Sequence, residues 1–176
     1  YILEYNPALK VPYFKVDAEK KPIYIPKDRL RIILSGLEDR KNGIRDVVIT
    51  KFLAYTGLQL KEIIDLRLEQ IDMKNKEIFI TRNNTEYEFV IPKDLYKSLK
   101  EYLELRKFEL LQDYIDYLFL SNTGNPYTTR SYQYAFKDAL INSNIQGNYT
   151  PRHVKASFAY YMAQSVSEEK LKVILN

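Results

Sequence analysis

Four polar side chains, Arg130, Gln133, Tyr134 and Lys137, recur at i, i+3, i+4 and i+7 spacing, which sets them in one row along a helix. A helix offers such a row to the major groove of duplex DNA. Arginine and lysine suit phosphates and guanine edges there, and glutamine pairs with adenine. The same row also fits an ordinary solvated helix face. Farther on, Arg152 and Lys155 stand one turn apart just after Thr150-Pro151, a helix start. Backbone N–H groups without partners and the helix dipole favour an anion at such an end, so the pair reads as a phosphate seat. A cationic patch that keeps the domain soluble is the alternative. His153 lies on a different helical face from Val154 and Phe158 and reads as a surface or half-buried structural histidine rather than a general base.

Composition narrows the chemistry further. The chain has no cysteine and one histidine, which excludes a disulfide framework, a thiolate nucleophile and a multi-histidine metal site; no cofactor is expected. Lys and Arg total 27 against 23 Asp and Glu, giving a net charge of +4. Between Ser121 and Gln164 four basic residues face a single acid, Asp138, so +3 of that charge falls in the segment carrying the candidate residues. At 176 residues, with 45% hydrophobic and 28% charged residues, the chain suits one domain preceded by a short arm. It begins at Tyr1 without an initiator methionine or a leader pattern, and reads as a fragment of a longer cytoplasmic protein.

These residues need elements to position them. Residues 1–25 hold Pro7, Pro12 and Pro22 and read as an extended interdomain linker or arm. Residues 26–176 form the domain. Pro26 opens a first helix carrying Leu30, Ile33, Leu34 and Leu37, with Gly36 as its expected stop. A second helix follows, with Val47, Val48 and Phe52 on its buried side, Tyr55 as a further candidate and Gly57 as its end. A third runs from about Leu60 to Leu66. Then the period changes to two, around Ile78 and Ile80 and again around Tyr87, Phe89 and Ile91, and Asn83-Asn84 supplies a hairpin turn. Pro92 opens a long helix with Leu95, Leu99, Tyr102 and Leu103 on one face. After the apolar run Tyr117 to Leu120 and a turn over 122–126, Thr128 or Thr129 caps a helix with Tyr132, Ala135, Phe136, Ala139 and Leu140 in one stripe. Two helices end the chain, from Thr150-Pro151 and from the capping box Ser165-x-x-Glu168. The fold class is mainly α with a small antiparallel β-sheet.

Three strings in this order resemble the catalytic domain of tyrosine recombinases, the phage integrase family. Ala54-Tyr55-Thr56-Gly57-Leu58-Gln59-Leu60-Lys61-Glu62-Ile63-Ile64-Asp65-Leu66 resembles A-x-T-G-L-R-x-x-E-L-x-x-L. Leu118-Phe119-Leu120-Ser121 with Gly124-Asn125-Pro126 resembles L-F-x-S-x-x-G-x-P, and Thr150 to Ala159 resembles T-P-H-x-L-R-H-S-F-A. The resemblance covers about residues 26–176. It implies attack by a tyrosine hydroxyl on a DNA phosphate, aided by two arginines, a lysine and one or two histidines.

Carried over by position, little of that set survives. Gln59 stands at the first arginine and Asn84 nearest the hairpin lysine. Arg152 stands at the first histidine, Lys155 at the second arginine and Ala156 at the histidine that follows. Lysine keeps the charge but lacks the planar fork that grips two phosphate oxygens. Val173-Ile174-Leu175-Asn176 resembles the run into L-G-H, which puts the nucleophile beyond Asn176; Tyr160 and Tyr161 read as core-packing residues. The expected function is therefore double-stranded DNA binding on a recombinase scaffold that has lost cleavage. A transcriptional regulator such as a repressor of a phage or mobile element, acting in the bacterial cytoplasm at the nucleoid, fits best. A divergent but active site-specific recombinase, and an interaction scaffold with no DNA role, are the alternatives. A DNA-binding domain ahead of Tyr1 and exchange of a C-terminal segment between protomers are implied by the resemblance alone.

Overall fold

The second helix, α2 (Gly43–Thr56), carries buried side chains all round its circumference, and a helix of that pattern belongs in the middle of a domain. In the computed structural model, which describes residues 24–82, 84–109 and 116–164, it takes that place. Around it pack α1 (Lys27–Glu38), α3 (Leu60–Ile64), α4 (Lys93–Glu109), α5 (Thr129–Asn142) and α6 (Pro151–Ala163). Val48, Ile49 and Phe52 on α2 are wholly buried, as are Ile33, Leu37, Leu95, Leu99, Tyr132 and Val154 on its neighbours. Gly57, at φ 67°, ends α2 in the left-handed conformation that favours glycine. No helix among the described residues is long and apolar enough to cross a membrane.

A three-stranded antiparallel sheet, β1 (Ile71–Asp72), β2 (Glu77–Arg82) and β3 (Thr85–Val90), flanks the bundle in that order. Register pairs Ile78 with Phe89, Ile80 with Tyr87 and Arg82 with Thr85. Ile78 and Ile80 are buried, and Arg82 continues their face by the period of two. Asn84, at φ 61°, serves the hairpin turn. The hairpin was legible in the alternation; β1, only two residues long, was not.

Several sequence expectations need correction. Gly36 does not end α1, which continues to Glu38. Its role is close approach, because a Cβ there would lie 2.3 Å from Ser143 Oγ and 3.2 Å from the Ala139 carbonyl oxygen of α5. Pro26 is the residue before the first helical turn rather than its first member. Tyr55 is 41% exposed rather than buried, and its hydroxyl donates to Asp94 at 3.1 Å. Tyr160 is 39% exposed and stacks on Tyr24 with ring centroids 3.9 Å apart; half-buried Tyr161 meets both rings edge-on. These tyrosines pin the end of the arm rather than pack the core. Ile25, beside them, is wholly buried, and its N–H donates to Ser157 Oγ at 2.7 Å. The rest of the arm and the helix expected from Ser165 lie outside the described residues.

Gly43 gives a test of how tightly the α1–α2 turn is built. A Cβ on it would lie 2.3 Å from the Leu37 carbonyl oxygen and 2.5 Å from that of Glu38, both backbone atoms that cannot rotate away. Gly43→Ala is expected to lower stability by about 1–3 kcal/mol, read as a lower urea midpoint with an unchanged slope. An unaltered midpoint would show that the turn has slack.

Candidate functional site

Three helix starts converge on one cleft. At the first, Gly57 turns the chain out of α2 and Gln59 precedes α3, where its backbone N–H donates to the Glu62 carboxylate at 2.6 Å. At the second, Thr128 caps α5 by accepting from the Ser131 N–H at 3.1 Å. At the third, Thr150 precedes α6, and its N–H donates to His153 Nδ1 at 3.0 Å. The half-buried histidine therefore serves as a cap, in keeping with a structural role. The cleft between these starts has a volume of about 890 Å³, and Gln59, Lys61, Thr129, Gln133, Arg152 and Lys155 are among its lining residues.

The charges in and beside this cleft are coupled. Arg82, from the end of β2, donates to Glu62 through Nε at 2.5 Å and through a terminal nitrogen at 2.9 Å, a two-pronged contact. Burial raises the Glu62 carboxyl pKa, but the Arg82 bonds, the Gln59 N–H and the positive charges of Arg82 and Lys155 outweigh it and hold the group below its ordinary value. Burial pulls the Lys155 ammonium below the usual lysine range; Glu62 opposes that shift and Arg82 adds to it. Glu62 is thus an internal counter-ion between two cations of the site.

The linkage has a definite sign. A carboxyl whose folded pKa is depressed contributes stability that is present above its unfolded pKa, about 4.3, and lost as pH falls through the folded value. Glu62→Gln is therefore expected to flatten the loss of thermal midpoint on acidification below about pH 4.5, compared with the parent. Identical acid limbs would show that the ion pair does not form in solution.

Gln59, Gln133, Arg152 and Lys155, four of the residues singled out in the sequence, line this cleft together. Arg130, Tyr134 and Lys137 are exposed on α5, on the same helical face as Gln133. Arg130 donates to the Tyr134 hydroxyl at 3.2 Å, so this part of the row is ordered as a pair. Asn84 is exposed at the hairpin tip, and Ala156 is half-buried on α6; neither lines the cleft, and neither do Tyr160 and Tyr161. Lys61, Glu62 and Arg82 were missed as site residues. The signal for Arg82 was available, since counting by two from Ile78 and Ile80 carries it to the inner face of the sheet.

The profile of the Phage integrase family matches residues 24–175. Tyrosine recombinase XerC of Staphylococcus epidermidis is 26% identical over 157 residues, 86% of this chain and 53% of that protein. The chain spans about half the length of the curated relatives it matches. Among solved structures, XerA recombinase superposes with a TM-score of 0.75 at 24% identity, over 88% of this chain and 56% of the other. The Tn1549 transposon integrase in complex with circular intermediate DNA gives 0.71 at 20% identity, over 91% and 59%. The mainly helical bundle with its small antiparallel sheet is the fold of the tyrosine-recombinase catalytic domain. With a profile match along nearly its whole length and that fold, the chain belongs to the phage integrase family.

Proposed function

We propose that this chain is a double-stranded DNA-binding protein on the integrase scaffold that has lost strand cleavage, serving a phage or mobile element as a transcriptional regulator such as a repressor. The observation that carries this reading is Gln59. It is exposed at the cleft where the family string has arginine, while the nearby cation of the hairpin, Arg82, is committed to Glu62. Loss of one preorganised transition-state donor commonly costs about a hundredfold to a thousandfold in rate. Here the glutamine, the asparagine at 84, the lysine at 155 and the alanine at 156 together leave little chemistry, whereas Arg152, Lys155 and the row on α5 suffice for binding. The DNA-bound state of the Tn1549 integrase supports the choice of partner. A DNA-binding segment preceding Tyr1 and exchange of a C-terminal segment between protomers belong to the same reading.

One observation favours a second reading, a divergent but active site-specific recombinase. Lys61 in the cleft and Arg82 beside it add two positive groups near the family positions, and the curated relatives are recombinases. A nicked suicide duplex offered to the whole protein separates the two. Retarded DNA without a covalent protein–DNA adduct is the expected result, both for the parent and for Gln59→Arg, since one arginine cannot replace the other altered groups. A trapped adduct in the parent would overturn the proposal and establish the recombinase.

A further inference from the structure

A second cationic pocket lies on the other flank of α5. The turn between α1 and α2 and the loop after Leu120 border an open depression of about 530 Å³, lined by Arg40, Lys41, Arg45, Ser121, Asn122 and Thr123 among others. Arg45 builds the floor. It is buried, pairs with Asp46, and donates to the Leu120 carbonyl at 2.8 Å and to Asn122 Oδ1 at 3.3 Å. Asn42 Nδ2 also donates to Asn122 Oδ1, at 2.7 Å, so the two loops are tied together. At the rim, the Ser121 and Thr123 hydroxyls lie 2.9 Å apart, and Lys41 is exposed. Arg40 reaches across to α5 and pairs with Asp138, while its Nε is buried with no hydrogen-bond partner among the described residues. A pocket lined by an exposed lysine, an arginine shared with Asp138 and two hydroxyl groups, over a buried arginine, carries the chemistry to take an oxyanion.

Its position says which one. At about 100° per residue, Gln133 and Asp138 are about 140° apart around α5. Gln133 borders the Arg152–Lys155 cleft, Asp138 carries Arg40, and Lys137, Arg130 and Tyr134 fill the exposed arc between them. A helix seated in a major groove, about 12 Å wide, has a phosphodiester backbone on each side. We propose that the Arg40–Lys41 pocket seats a backbone phosphate of duplex DNA on the strand across the groove from the one held by Arg152 and Lys155. The inference rests on the DNA-binding reading of α5 given above and adds a second anchoring strand to it.

The test is a salt titration of binding to a short random-sequence duplex, because phosphate contacts are sequence-independent. Lys41→Ala, at an exposed position, and Arg40→Ala should each lower the slope of log affinity against log salt by about one unit. Lys100→Ala, an exposed lysine on α4, should leave the slope as in the parent. Circular dichroism checks that Arg40→Ala, which also loses the Asp138 pair, stays folded; Lys41→Ala carries the decision if it does not. A parent that binds with unchanged slopes in the Arg40 and Lys41 variants overturns this pocket and leaves the α5 reading standing. An equal drop in Lys100→Ala also overturns it, since net charge would then explain the effect. If inorganic phosphate saturates the pocket while parent and Lys41→Ala bind DNA alike, the site serves free anions and the proposal fails. A parent that does not bind duplex at low salt removes both this inference and the function proposed above.

Discussion

Asp46→Ala is expected to cost about 3–5 kcal/mol of folding stability, the usual consequence of removing one partner from a buried ion pair. Asp46 is 1% exposed and Arg45 5%, and the guanidinium also lies 3.7 Å over the Tyr127 ring. Without the carboxylate, the arginine charge would remain in the interior with a carbonyl, a side-chain amide and a ring for company. Burial, helped by the Asp46 charge, pushes the Tyr127 hydroxyl pKa far above its ordinary value, so in the parent Asp46 alone supplies the negative charge beside Arg45. Chemical denaturation of parent, Asp46→Ala and Asp46→Asn measures the effect, with the asparagine separating loss of charge from loss of shape. Retention of parental stability by both variants would show that Arg45 reaches water. In the proposed DNA-binding reading the consequence reaches α5, because this arginine holds the loop after Leu120 against α2, and that loop leads into the cap of α5.

Arg130→Ala is expected to weaken binding to a cognate duplex by about 1–3 kcal/mol, or roughly 5- to 150-fold, while random duplex loses less. Arg130 projects from the exposed face of α5 near its N-terminal end, ordered by its bond to the Tyr134 hydroxyl, where a helix in a major groove meets base edges. Lys155→Ala should behave differently, lowering cognate and random binding alike and reducing the salt slope by about one unit. Equal affinity of Arg130→Ala and parent for the cognate site would remove α5 from the groove. The contrast between the two variants matters more than either loss, since it separates reading of sequence from anchoring of the backbone.

What the sequence determined was most of the elements, though not β1, and the buried face of α5 and of the hairpin. Tyr132, Ala135, Phe136, Ala139 and Leu140 recur at helical spacing and all five are buried, so the opposite row could be named from the same arithmetic. The alternation around Ile78 and Ile80 likewise fixed the hairpin, and the Thr150-Pro151 start fixed where Arg152 and Lys155 sit on α6. Local periodicity suffices there, because burial of one face is a property of each element alone. What only the tertiary structure decided depends on contacts between elements far apart in the chain. Gly36 carries the composition of a helix stop, yet the approach of α5 makes it a packing residue. Tyr55 and Tyr160 share the chemistry of core aromatics and lie exposed, since neighbouring helices leave those positions uncovered. Arg82 and Glu62, twenty residues apart, become one bidentate pair beside Lys155, and Arg40 meets Asp138 across ninety-eight residues. Charge pairing needs proximity within a few ångströms, and no spacing rule within one helix or strand reports distances between elements.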